Sequence, residues 1–279
     1  MVAGGAGAGD GDAARAVSAQ SLIFALFGDQ VLGRDVAVAT GGVITVLGRL
    51  GVGEHATRAT IARMSGRGLL RPVRRGRRVF LALTPRADAV LRDGRDRLEA
   101  DIVLGDWDGR WTLLAFSVPE ARRADRHALR TRLSWRGFGP LRSGLWVSPR
   151  DTDVSGELGE LDLLEHCEVF RAEAARWTDP ARIVREAWDL PVIAAGYQRF
   201  LKRWSGGSPV PSDALSRRTL LTAQWLLLIR QDPRLPGAVL PADWPGVAAQ
   251  DLFRTLHGRL AAPARDLAED VLETVAAPQ

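Results

Sequence analysis

The sequence predicts an α+β protein in three successive parts: helices closed by an arginine-tipped hairpin, a sandwich of strands and helices, and a run of helices. Three observations carry this reading. The segment from Glu54 to Arg86 holds nine arginines and a single acid, and its apolar spacing changes from helical to alternating near Leu69. Around Trp107 the pattern turns to strands and short turns, and from Thr178 onward apolar residues recur at steps of three and four. At 279 residues the chain exceeds the roughly 100–200 residues of one domain. The boundaries are set at residues 1–17 for a disordered Gly/Ala-rich tail, then 18–100, 101–176 and 177–279.

In the first part, Leu22, Ile23, Leu26, Phe27 and Val31 form one face of a helix. Thr40 is placed to cap a second helix that carries Val43, Ile44, Leu47 and Leu50. Gly51-Val52-Gly53 allows a tight corner. In the third helix Thr57, Ile61 and Met64 share a side, which turns His55, Arg58, Ala59 and Ala62 outward. Gly66 and Gly68 end it. Leu69 to Val73 and Val79 to Leu83 are extended, joined by Arg74-Arg75-Gly76-Arg77-Arg78, and Thr84-Pro85 opens a fourth helix. The order helix, helix, helix, hairpin, helix is that of a winged helix-turn-helix.

In the second part, Trp111 to Val118 is an apolar strand and Arg122 to Trp135 a helix. Gly137-Phe138-Gly139 turns the chain. Gly144 to Ser148 and Val169 to Ala172 are extended, with a helix near Val154 to Leu164 between them, an order that fits a βαββαβ sandwich. In the third part, Asp179-Pro180 and Asp189-Leu190-Pro191 place capping side chains before early helical prolines. Ile193, Tyr197, Phe200, Leu201 and Trp204 mark an amphipathic face. Leu215 to Ile229 is apolar nearly all round and reads as a buried central helix. The strip Leu235 to Pro245 is extended, and Leu252, Phe253, Leu256 and Leu260 mark a further helix.

The formal net charge of +5 favours a polyanionic partner. Its distribution says more: from Ser205 to the end there are seven arginines against eight acids, so the excess lies toward the N-terminus. A single cysteine, Cys167, excludes an internal disulfide and fits a reducing compartment. No signal peptide or bilayer-length apolar run is evident, so a cytoplasmic protein without membrane contact is expected.

The chemistry expected of the cationic segment is DNA binding. Arg58 projects toward base edges or phosphate; two parallel bonds from an arginine to one guanine are worth about 1–3 kcal/mol of discrimination. His55 lies beside it; Ala59 and Ala62 are small enough to enter a groove and touch thymine methyls. Arg63 and Arg67 lie toward the backbone, and Arg74, Arg75, Arg77 and Arg78 reach phosphates or the minor groove.

Several stretches resemble the PaaX-type repressors of phenylacetic acid catabolism. They include Ser21 to Asp29, Gly51 to Arg58, Arg74 to Arg78, Leu83 to Arg86, Trp107 to Trp111, Leu145 to Pro149, Asp232 to Pro236 and Leu240 to Gly246. The resemblance runs in order from about residue 18 to 275. The family commonly carries a hydroxyl-bearing residue and a bulky aliphatic where this chain has Gly53 and Thr57. The resemblance implies a homodimeric repressor on a double-stranded DNA operator, with a winged helix-turn-helix, a central ferredoxin-like βαββαβ domain akin to the CRISPR spacer-acquisition nuclease, and an α-helical C-terminal domain. It also implies release by a small-molecule effector, phenylacetyl-CoA or another acyl-CoA, with no cofactor required.

An effector of that kind wants an aromatic-lined cavity with arginines at its mouth. Arg217 and Arg218, with Trp225 on the helix they lead into, are the candidates. The alternative is an enzyme acting on an acyl-CoA or a nucleic acid, with the winged helix as an accessory. No catalytic residues are assigned: the first central strand ends Ser117-Val118-Pro119, leaving Glu120 beyond the proline, where it is not placed to hold a catalytic metal. No metal site is expected either, because His166-Cys167 lacks a second ligand pair. Glycines 5, 7 and 9 lack the strand that a phosphate-binding loop follows.

Overall fold

A computed structural model describes residues 17–207 and 211–277. The predicted tail, with glycines 5, 7 and 9, therefore lies outside the described residues except for Val17. The chain is a mixed α and β structure with two four-stranded antiparallel sheets.

The first part runs α1 (Ala19–Gln30), β1 (Val36–Ala39), α2 (Thr40–Arg49), α3 (Glu54–Gly66), β2 (Leu70–Arg75), β3 (Arg78–Leu83) and α4 (Pro85–Glu99). The starts of α1 and α4 follow from local chemistry. The Ser18 hydroxyl accepts from Ser21 N at 3.1 Å. The Thr84 hydroxyl accepts from Ala87 N at 3.2 Å ahead of Pro85, and donates to Gly68 O at 2.7 Å. Thr40 does not cap α2 as expected. It is the first helical residue, and its hydroxyl donates to Val79 O at 2.9 Å, tying α2 to the hairpin. The cap position is Ala39, the end of a strand too short to show an alternation. β2 and β3 meet at a two-residue turn between Arg75 and Arg78, where Gly76 takes φ 58°, a conformation that L side chains rarely adopt.

The central part runs β4 (Arg110–Phe116), α5 (Arg123–Trp135), β5 (Gly139–Arg142), β6 (Leu145–Ser148), α6 (Ser155–Glu160) and β7 (Cys167–Glu173), with strand order β5-β6-β4-β7. Gly139, the last residue of the expected Gly137-Phe138-Gly139 turn, starts β5, which pairs with β6. Leu129, Leu133 and Leu158 of the two helices pack on Leu114 and Trp146 on one sheet face. On the other face Trp111 and Val147 meet Val184, Ala187, Leu235 and Val239 from the chain that follows.

That chain forms α7 (Pro180–Ala187), α8 (Leu190–Lys202), α9 (Ala214–Ile229), α10 (Gly246–Arg259), α11 (Ala261–Val271) and β8 (Thr274–Ala276), with a short 3-10 turn, Gly237–Val239, in the strip expected to be extended. Asp179, Asp189 and Asp213 cap α7, α8 and α9 by accepting from Ala181 N, Val192 N and Ser216 N. Helix α9 is the hub, packed against α1, α2, α4, α8, α10 and α11.

An entirely helical C-terminal part is corrected by β8, which pairs antiparallel with β1 and completes the sheet β2-β3-β1-β8. Leu215, Ala223, Ala264, Ala268 and Leu272 belong to the same apolar core as Leu26 and Met64. Gly42 permits this contact: a Cβ there would stand 2.5 Å from the Val271 carbonyl oxygen. A second tie is Asp232-Pro233-Arg234. The Tyr197 hydroxyl donates to half-buried Asp232, Arg234 donates to Arg97 O of α4 at 3.0 Å, and Arg150 of the central part donates to Pro233 O at 3.0 Å.

Candidate nucleic-acid interface

Helix α3 buries Thr57, Thr60, Ile61 and Met64. The opposite face presents His55, Arg58, Ala62 and Arg63 to solvent, with Ala59 half-buried and Arg67 exposed at the end. The inward threonines are satisfied locally: Thr57 donates to Gly53 O and Thr60 to Ala56 O. Arg58 is held by Glu54 one turn back at 2.8 Å, and Arg63 donates to Thr60 Oγ1 at 2.8 Å. Two exposed ionic partners one turn apart gain only a few tenths of a kcal/mol, about 0.3–0.5, so Arg58 is readily released to a stronger acceptor.

The hairpin carries Arg74, Arg75, Arg77 and Arg78, all exposed. The first three have no acidic partner among the described residues. Arg78 is different: it makes a two-pronged pair with Glu273, next to β8, and lies 5.7 Å over the Phe80 ring. Arg58 and Ala62 of α3 face Arg77, Arg78 and Val79 of the hairpin across a groove of about 520 Å³. Thr40 and Gly41, at the start of α2, also line it. A helix start offers free N–H groups to an anion, and the sequence reading did not assign these two residues to the site. Arg86 is exposed beside the end of α3, where it donates to Arg67 O at 3.2 Å.

The residues expected to meet an effector separate. Trp225 is wholly enclosed, stacked on Phe253 with centroids 4.8 Å apart and planes 9° apart, and flanked by Phe200. It is a core residue, with Phe253 and not Trp225 itself lining the neighbouring cavity. Arg217 stands apart from that stack, with a buried Nε that has no hydrogen-bond partner among the described residues. Arg218 does line a cavity, of about 550 Å³, between α1, α4, α9 and α10. In its wall Asp29 accepts from Arg218 at 3.3 Å and from the Thr222 hydroxyl at 3.0 Å, with His257 Nε2 at 3.3 Å. Arg218 also donates to the His257 carbonyl.

In the central part Glu120 begins a 3-10 turn after β4 and pairs with Arg126 at 2.9 Å. Cys167 is half-buried, and burial reinforced by Glu168 pushes its thiol up to about 11. No group of three or more His, Cys, Asp or Glu side chains suited to a metal ion occurs among the described residues. None of the described helices is long and apolar enough to cross a membrane. Strand β7 is the open edge of its sheet, with Val169 and Phe170 46% and 55% exposed.

Fold and site thus define an α+β protein with a cationic helix-and-hairpin face on its N-terminal part. Comparison with known proteins agrees along the chain. Residues 18–87 match the family model for PaaX-like protein, residues 104–184 that for the PaaX protein central Cas2-like domain, and residues 188–270 that for the PaaX-like protein C-terminal domain. The chain is 29% identical over 276 residues to the transcriptional repressor PaaX of Escherichia coli (strain K12), covering 92% of this chain and 85% of that protein. The uncharacterized protein Rv0674 from Mycobacterium tuberculosis has the same fold, with a TM-score of 0.66 at 24% identity, covering 91% of this chain and 99% of that one. The chain belongs to the PaaX family.

Proposed function

We propose that this protein is a cytoplasmic DNA-binding transcriptional repressor, with residues 18–100 acting as a winged helix-turn-helix and α3 as the recognition helix. One observation carries the reading: His55, Arg58, Ala62 and Arg63 lie on the solvent face of α3 and share a groove or flank with the exposed arginines of the hairpin. A helix 13 residues long, with small residues at its centre and cations at its flanks, suits a major groove, while the hairpin follows the backbone. Kinship with a named repressor supports the same conclusion.

The protein works as a homodimer on a pseudo-palindromic operator, its two α3 helices about one DNA turn apart. The central βαββαβ part, with the strand order of a ferredoxin-like sheet, supplies an interface. β5 is covered by α7, whereas β7 leaves its edge bare and exposes Val169 and Phe170. Bare apolar edges invite pairing with another strand. An aromatic acyl-CoA, phenylacetyl-CoA in the first instance, releases the operator. No catalytic role is assigned.

The test is fluorescence anisotropy with duplexes from the gene's own promoter and random duplexes of equal length, alongside light scattering. Specific binding at least about 10³-fold tighter than random, by a dimer, is expected. Equal affinity for both duplexes refutes an operator. A monomer with and without DNA refutes the dimer.

A further inference from the structure

We infer that the cavity between α1, α4, α9 and α10 binds an amphipathic organic anion, whose acid group displaces the Asp29 carboxylate from Arg218 and His257. This deepens the effector reading above and rests on it.

The cavity has the size and two-sided lining of a ligand site. Its volume, about 550 Å³, falls within the roughly 300–1,000 Å³ of small-molecule pockets. Leu91, Leu98, Leu226 and Phe253 give it an apolar side. Behind that side Trp225, Phe253 and His257 form a continuous stack, the second pair with centroids 5.0 Å apart. The space is held open by glycine: a Cβ on Gly94 of α4 would meet no atom within 4 Å, and one on Gly28 of α1 only Leu91 Cδ2 at 3.6 Å. Glycine weakens a helix interior, and here it leaves two packed helices with an unfilled gap between them.

The opposite side is polar. Arg95, Arg218, Arg254 and His257 line it together with Asp29 and Glu99, and Arg254 is paired with Asp101 at 2.9 Å. Among the described residues Arg95 makes only a long 3.5 Å bond to Leu32 O, so it has donors to spare. The acid that now occupies the deepest donors is the protein's own. The side chains of Asp29 and Arg218 are 8% and 12% exposed, yet both border the void that a ligand would enter. A carboxylate or phosphate arriving there competes with Asp29 for the same charge-assisted bonds. Asp29 stands near the end of α1, in the unit that carries α3, whereas Arg218, Thr222 and His257 belong to α9 and α10. Exchanging one anion for another therefore removes a polar bridge between the DNA-facing unit and the C-terminal helices. The ligand shifts the arrangement to the extent that it prefers the unbridged state.

Phenylacetyl-CoA, phenylacetate and coenzyme A are titrated separately into the full chain by calorimetry and thermal shift. At least one of the first two is expected to bind; phenylacetate alone identifies a free acid as the ligand, and the thioester alone a CoA-borne anion. Gly94→Met fills the void without a backbone clash, so it should weaken binding at least tenfold while leaving the ligand-free Tm unchanged or higher. Asp29→Asn removes the competing charge and should tighten binding several-fold although its own Tm falls, a combination that a merely structural Asp29 does not give. Undiminished affinity in Gly94→Met overturns the cavity assignment and leaves the effector reading intact. Unchanged or weaker binding in folded Asp29→Asn overturns the displacement. If Asp29→Asn does not fold, Gly94→Met still decides the site. Failure of both the acid and its thioester to bind the wild type overturns this inference together with the effector reading.

Discussion

Replacing Arg75 and Arg77 with alanine should change how DNA binding responds to salt by an amount that the structure sets. Five exposed arginines of the face, Arg63, Arg67, Arg74, Arg75 and Arg77, have no acidic partner among the described residues. With one phosphate each, a dimer makes about ten such contacts, and log K falls with log salt at a slope of about −9. The double variant removes about four of them and flattens the slope to about −5. Between roughly 50 and 200 mM salt, the wild type should lose about five decades of affinity and the variant about three. Neither side chain packs in the core, so the Tm should stay put. The assay is fluorescence anisotropy of a labelled operator across a salt series, with a random duplex in parallel. The hairpin arginines give register and affinity rather than sequence choice, so both duplexes should lose slope equally. An unchanged slope refutes the placement of the hairpin on DNA. A loss confined to the operator means that these arginines read bases instead.

Three further outcomes follow from single contacts. Glu273→Gln frees Arg78 from its two-pronged pair and should steepen the same slope by about 0.9 per protomer; an unchanged slope means that Arg78 stays off the DNA. Gly42→Ala drives a methyl against the Val271 carbonyl and should cost about 1–3 kcal/mol, read as a lower Tm; an unshifted Tm refutes the close contact of α2 with the end of α11. The Cys167 thiol, pushed up to about 11, favours the protonated form in the folded chain. Its alkylation by iodoacetamide should therefore climb about tenfold per pH unit from 7 to 10. The thiol's contribution to stability is present below the unfolded value and lost as pH rises through about 11. An alkylation rate that levels off near pH 8.5 refutes the burial effect.

What the sequence disclosed is what local chemistry decides. Thr57, Ile61 and Met64 fix which side of α3 is buried, so the outward position of Arg58 and Ala62 was readable from spacing alone. The arginines flanking Gly76 marked the hairpin tip, because nothing in a compact core neutralises that many cations. Asp179, Asp189 and Thr84 announced their helices by side-chain capping. What escaped depends on partners far along the chain. β1 and β8 have four and three residues, too few to alternate visibly, and each makes sense only beside the other. Gly139 belongs to a Gly-Phe-Gly segment with the composition of a turn, and it enters a strand because β6 lies alongside. The acid that binds Arg78 stands 195 residues away. The sequence placed Trp225 toward an effector but could not tell an enclosed tryptophan from an open one: Trp225 is fully enclosed, while Trp177 is 83% exposed.

These long-range contacts share a direction, because each joins the C-terminal helices to a different side of the N-terminal unit. β8 extends the sheet that carries the hairpin, and Glu273 next to it grips Arg78 beside the hairpin's turn. The end of α11 rests on α2 through Gly42, while α9 and α10 hold α1 through Asp29. A rotation of α9 to α11 by even a small angle would therefore be felt at α1, at α2 and at the arginine hairpin together, since packed interfaces shift between discrete arrangements instead of deforming smoothly. The apolar contacts of Leu215, Ala223 and Ala268 with the N-terminal core are broad and unspecific in angle, whereas the Asp29 and Glu273 bonds are directional. On this reasoning the polar ties set the angle and the apolar core sets the strength. Double substitution of Asp29 and Glu273 should then alter operator affinity by more than the sum of the single effects, because both ties restrain one relative motion.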